Sequence, residues 1–77
     1  MQKAYILIET TAGKGPEVVG QLEGIQGIEE VERVTGHFDV LAVLESTDLD
    51  SLANTLESQI RCLPNIVRTT TCIVVPS

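Results

Sequence analysis

Apolar residues fall in short runs along this chain, and their spacing switches between strand-like alternation and helix-like recurrence. Ala4-Tyr5-Ile6-Leu7-Ile8-Glu9-Thr10 is rich in β-formers and holds no breaker, which predicts a first strand over 4–10. Thr11-Ala12-Gly13-Lys14-Gly15 reads as a loop. Pro16 suits the first position of a helix and Glu17 suits its positive end. Val18, Val19, Leu22 and Ile25 then recur as one apolar stripe, and Gly24 marks the stop. A second strand is expected over 28–35, polar for a strand because it carries Glu29, Glu30, Glu32 and Arg33. Gly36-His37-Phe38-Asp39 predicts a short turn, and Val40-Leu41-Ala42-Val43-Leu44 a third strand that closes an antiparallel hairpin with the second. Thr47 and Asp50 have the spacing of a helix capping box, with Asp in place of the usual Glu. Leu49, Leu52, Ala53, Leu56, Ile60 and Leu63 mark the buried stripe of a second helix that Pro64-Asn65 ends. A fourth strand is expected over 66–75, closed by Pro76.

The order βαββαβ predicts an α+β, ferredoxin-like sandwich: a four-stranded antiparallel sheet with both helices on one face. Strands one and three should be central, because the glutamates of strand two and Arg68-Thr69-Thr70-Thr71 of strand four suit edges. Side chains alternate across a strand, so Ala4, Ile6 and Ile8 oppose Tyr5 and Leu7, while Val40, Ala42 and Leu44 oppose Leu41 and Val43. Two helices cover one face only, and a wet face should be polar. The uncovered face is therefore expected to dock on a second copy, forming a dimeric α/β barrel.

Length and charge narrow the function. The 77 residues suffice for a single domain, 1–77. Eleven acidic and five basic residues leave a net charge of −6, and Lys3, Lys14, Arg33, Arg61 and Arg68 are scattered, which argues against a nucleic-acid surface. Tyr5 and Phe38 are the sole aromatics, too few for a base-stacking platform. No signal peptide is expected before the first strand, no apolar run is long enough to span a membrane as a helix, and the two cysteines are too few for a disulfide scaffold. A cytoplasmic protein is expected. Cys62 and Cys72 are expected to be small buried apolar residues, and no metal or cofactor site is expected, His37 lying far from both.

Catalytic constellations are scarce. His37 is the only imidazole, and no serine or cysteine is placed for a nucleophile-base pair. Gly13-x-Gly15 before a helix lacks the remaining elements of a phosphate loop, and the acidic run fits a solvated edge. The turn at Gly36, His37, Phe38 and Asp39 is more informative. Bare backbone N–H groups at Gly36 suit a carboxylate, Asp39 suits an ammonium group, and Phe38 can wall a pocket. A free amino acid carries both charges side by side. Thr69 and Thr71 share one face of strand four and can add hydroxyl contacts. The bland alternative is an ordinary hairpin turn beside an edge strand of β-forming threonines.

Val34-Thr35-Gly36-His37-Phe38-Asp39-Val40, the helix exit Leu63-Pro64-Asn65-Ile66 and the threonine-rich last strand, taken together over 4–75, resemble the effector-binding domain of the Lrp/AsnC family. That domain is also called RAM, for regulation of amino-acid metabolism. The resemblance implies sheet-to-sheet dimers, assembly into rings such as octamers, and amino acids bound in clefts between dimers. It also implies that Gly36, His37 and Phe38 offer backbone and wall contacts, that Asp39 meets the amino group, and that Thr69 and Thr71 line the cleft. His37 stands where an acidic or polar residue is commoner in the family. Full-length members begin with a helix-turn-helix domain, none is expected in this chain, and direct DNA binding is therefore not carried over. The expectation is a stand-alone, non-enzymatic effector-binding module that acts on transcription through a partner, such as a full-length Lrp/AsnC regulator. Two rivals are a small dimeric α+β barrel enzyme using His37 and an ACT-like regulatory module.

Overall fold

The computed structural model describes residues 1–76. The chain forms β1 (Gln2–Thr10), α1 (Gly15–Glu23), β2 (Ile28–Arg33), β3 (Val40–Ser46), α2 (Leu49–Thr55), a π-helical turn (Leu56–Ile60) and β4 (Ile66–Ile73). The strands make one antiparallel sheet in the order β2-β3-β1-β4, so the two apolar strands are central, as their composition predicts.

Alternation along the central strands sorts their side chains between two faces. Ala4, Ile6 and Ile8 of β1 pair with Leu44, Ala42 and Val40 of β3, and all six are fully buried beneath the helices. Val18 and Leu22 come down from α1, and Leu52 and Ile60 from the second helical segment, to close this core. Full burial of each such Ile or Leu stabilises the fold by about 1.5–3 kcal/mol relative to exposure.

Pro16 lies in the first turn of α1, and Gly24 ends it with its N–H bonded to the carbonyls of Gln21 and Leu22. The left-handed residue that turns the chain into β2 is Gly27, at φ 99°. A Cβ there would stand 2.9 Å from the Glu45 carbonyl oxygen, so this position needs glycine for its backbone angle and for space. At the far end of the second helical segment Asn65 takes the left-handed conformation, φ 70°, and its carbonyl accepts a hydrogen bond from Thr11 N.

The second helical segment departs from the expected single helix. Its cap is Asp48, one residue beyond the expected Thr47: Asp48 Oδ1 accepts from Ser51 N at 2.7 Å. Leu49 is 54% exposed and Ala53 is also exposed, so neither belongs to the buried stripe. The helix then widens into the π-helical turn, in which Arg61 N reaches back five residues to the Leu56 carbonyl. On an uninterrupted α-helix Ile60 would lie about 80° round from Leu52. The wider turn swings Ile60 back over the sheet.

The cysteines also depart from expectation, for both are exposed. Cys62 follows the π-helical turn and its thiol donates to the Ser58 carbonyl at 2.8 Å. Cys72 lies opposite Tyr5 on β1, on the sheet face that the helices leave open.

That open face has an apolar centre and charged margins. Tyr5 and Leu7 of β1, Leu41 and Val43 of β3, and Thr70 and Cys72 of β4 share it by register. Val43 is only 6% exposed because its own neighbours cover it, whereas Tyr5 is 40% exposed. Glu30 and Glu32 of β2 lie on this face at one edge of the sheet, and Arg68 lies at the other.

Candidate functional site

The connection between β2 and β3 is longer than a tight turn. Six residues, 34–39, leave the ladder before β3 begins. Val34 N donates to the Asp39 carbonyl at 2.9 Å and closes the loop at its base. Asp39 N donates to the Ile8 carbonyl at 2.9 Å, which ties the loop to the end of β1. The N–H groups of Gly36, His37 and Phe38 have no backbone partner among the described residues. Gly36 sits at φ 126°, with open space where a side chain would be, so glycine is required there by backbone angle alone.

Asp39 reaches sideways as well as along its own loop. Its Oδ2 accepts from Thr10 N at 2.8 Å and from Thr10 Oγ1 at 3.2 Å. Thr10 is the buried last residue of β1, and these two bonds satisfy donors that would otherwise be orphaned there. The second carboxylate oxygen takes no part in them.

A cleft of about 510 Å³ opens beside this loop. Gly36, His37 and Asp39 form one wall, the loop residues Thr11, Ala12 and Gly13 with Gly15 another, and Glu9, Thr10, Arg33 and Val67 complete it. Sequence reasoning brings Gly36, His37 and Asp39 together, and the structure does the same. Phe38 is half-buried and does not line the cleft. Its ring lies under Arg68, whose guanidinium carbon is 5.8 Å from the ring centroid. Arg68 in turn reaches Glu9 at 3.1 Å.

Thr69 and Thr71 lie elsewhere. By register they oppose Ile8 and Ile6, on the helix side of β4. They line a second cleft of about 420 Å³ with Leu56, Arg61 and Ile66. Val67 borders both clefts. It is the extra residue of a β-bulge, because Glu9 pairs with Arg68 while Thr10 pairs with Ile66. Within one chain the six expected site residues thus divide between two clefts and a ring outside both.

Sequence reasoning missed Thr10 and Arg33. Arg33 carried a signal, as the one cation in the acidic second strand. Thr10 carried none, since its role depends on a strand end meeting a loop 29 positions later. Among the described residues no group of three or more His, Cys, Asp or Glu side chains is arranged to hold a metal ion.

The sequence matches the family model of the Lrp/AsnC ligand binding domain over residues 3–77. It is 32% identical over 73 residues to the HTH-type transcriptional regulator LysM of Sulfurisphaera tokodaii, covering 94% of this chain and 51% of that protein. The chain spans about half the length of the curated relatives it matches. Its fold superposes on the crystal structure of FFRP-DM1 with a TM-score of 0.94 at 33% identity, over 97% of this chain and 100% of that one. A transcriptional regulator of Neisseria meningitidis, NMB0573 in complex with L-Met, shares the fold at a TM-score of 0.85 and 14% identity, over 97% of this chain and 50% of that one.

Proposed function

The chain belongs to the Lrp/AsnC ligand-binding domain family, and from that premise we propose that it is an effector-binding regulatory module for a small amino acid. The observation that carries the reading is the loop at Gly36–Asp39. Gly36, His37 and Asp39 line one cleft, the N–H groups of Gly36 and His37 have no backbone partner among the described residues, and Asp39 keeps one carboxylate oxygen out of its bonds to Thr10: the two kinds of receptor a zwitterion needs. The L-Met complex of a regulator with this fold supports an amino acid as the ligand class. Thr69 and Thr71 join the ligand's surroundings from the neighbouring cleft, across Val67 or from an adjoining copy.

The module works as a homodimer, and dimers close into a larger ring. Support comes from the open sheet face, with its apolar centre, acidic β2 edge and Arg68 on the β4 edge. A two-fold axis along the strands lays the acidic edge of one copy over the basic residue of the other. Ligand that binds one assembly state better shifts the population toward it. The module reaches transcription through a partner, such as a full-length Lrp/AsnC regulator, and its net charge of −6 suits a role without direct DNA contact. The role is regulatory rather than catalytic, a reading supported by the family match and by the transcriptional regulators among the chain's curated relatives. The module acts in the cytoplasm, a reading supported by its membership of a family of transcription regulators.

A thermal-shift screen against the twenty amino acids tests this reading. A ligand at one hundred times its Kd stabilises by about 2.7 kcal/mol, which raises the Tm of so small a domain by about ten degrees or more. A flat response to all twenty would sink the reading.

A further inference from the structure

We infer that Arg33 makes this cleft selective for amino acids with a second carboxylate, so that aspartate and glutamate bind in preference to their amides. The inference rests on the cleft's being an amino-acid site. Arg33 is the last residue of β2, opposite Val40, and it lines the cleft together with Asp39, Gly36 and His37. Its guanidinium lies along the first turn of α1. A Cβ placed on the buried Gly15 would stand 3.5 Å from Arg33 Nε and 3.8 Å from Nη2, so the arginine rests against bare backbone there.

The other four cations of the chain have partners. Lys14 meets Glu17 at 3.4 Å, Arg61 meets Glu57 at 2.8 Å, Arg68 meets Glu9 at 3.1 Å, and Lys3 lies 5.7 Å from the centroid of the Tyr5 ring. Arg33 alone has neither a carboxylate nor a ring among the described residues, in a chain where acidic residues outnumber basic ones by more than two to one. The carboxylates nearest to hand in the cleft are committed: Glu9 to Arg68, and Asp39 through one oxygen to Thr10. The cleft therefore offers three receptors. The loop N–H groups suit an α-carboxylate, the free oxygen of Asp39 suits the ammonium group, and a planar guanidinium remains. Its paired donors match a carboxylate in two parallel hydrogen bonds, which an amide cannot accept on both atoms.

Isothermal titration of the 77-residue chain with L-aspartate, L-asparagine, L-glutamate and L-glutamine tests the inference, in the wild type and in Arg33→Gln and Arg33→Lys. At least one acid is expected to bind about tenfold or more tightly than its amide, the range of a charge-assisted hydrogen bond. Arg33→Gln should erase that preference by weakening the acid and leaving the amide unchanged, while Arg33→Lys keeps part of it. Arg33 is exposed, so unchanged melting of both ligand-free variants should accompany these changes. An amide that binds the wild type as tightly as its acid overturns the inference. So does an Arg33→Gln variant that loses acid and amide alike, which would put Arg33 on the shared α-carboxylate. Both of those results leave the amino-acid site standing, whereas no binding by any amino acid removes the site and the inference together.

Discussion

Asp39 holds the end of β1 with one oxygen and leaves the other out of those bonds, so its structural role and its proposed binding role can be separated by chemistry. Asp39→Asn retains a side-chain oxygen that can accept from Thr10, whereas Asp39→Ala leaves the buried Thr10 N–H without a partner. Asp39→Ala is expected to cost about 1–3 kcal/mol of stability, as an orphaned buried donor does, and Asp39→Asn less than about 1 kcal/mol. Both should abolish the rise in Tm with amino acid, because neither offers a negative charge to an ammonium group. Chemical denaturation and ligand-dependent melting of the two variants measure these effects. An Asp39→Asn variant that keeps the full ligand response would exclude Asp39 from binding. Gly36, His37 and Asp39 were legible in sequence because a glycine, an imidazole and an acid within four positions suggest local chemistry. The bond to Thr10 was not, because it depends on tertiary contact between a strand end and a distant loop.

At the scale of elements, the second helical segment is tied at its start by a charged cap. The Ser51 N–H holds the Asp48 carboxyl below the 3.8 of an ordinary aspartate. A depressed folded-state pKa contributes stability that is fully present above the unfolded value and is lost as pH falls through the folded one. Asp48→Ala should therefore lower the Tm at neutral pH, and the gap from wild type should close as pH drops below about 3.8. Melting curves over that range check it, and a gap that persists at the lowest pH would point away from the charge. A capping signal near position 48 was legible, but its register was not. Thr47 and Asp50 had the right spacing, yet Asp48 is a strong capping residue and reaches Ser51 N directly. The π-helical turn was also hidden, since periodicity in apolar residues assumes one winding throughout. The spacing of Leu52, Leu56 and Ile60 fits an ordinary α-helical stripe and so gave no sign of the turn.

The molecule as a whole has one covered sheet face and one open face, and the open face is where assembly can be tested. Leu7→Lys puts a charge at its centre while leaving the covered core untouched. The variant is expected to fold and to scatter light as a monomer at micromolar concentration, where the wild type scatters as a dimer or larger ring. A monomeric wild type would end the assembly reading. Strand order and the two-faced apolar character of β1 and β3 were legible because Ala4–Ile8 and Val40–Leu44 show no alternation of polar residues. That Thr69 and Thr71 line a different cleft from Gly36, His37 and Asp39 was not legible, because it depends on tertiary packing around β4, where Val67 forms a bulge and borders both clefts. That bulge has a consequence for design. Ile66 already pairs with Thr10 and Arg68 with Glu9, so a strand without Val67 would still place both in their present registers and on their present faces. The sheet can spare this residue; the clefts cannot. Val67 is a partition wall set into a frame that stands without it, and its size can be tuned to separate or join two chambers at little expense to the fold.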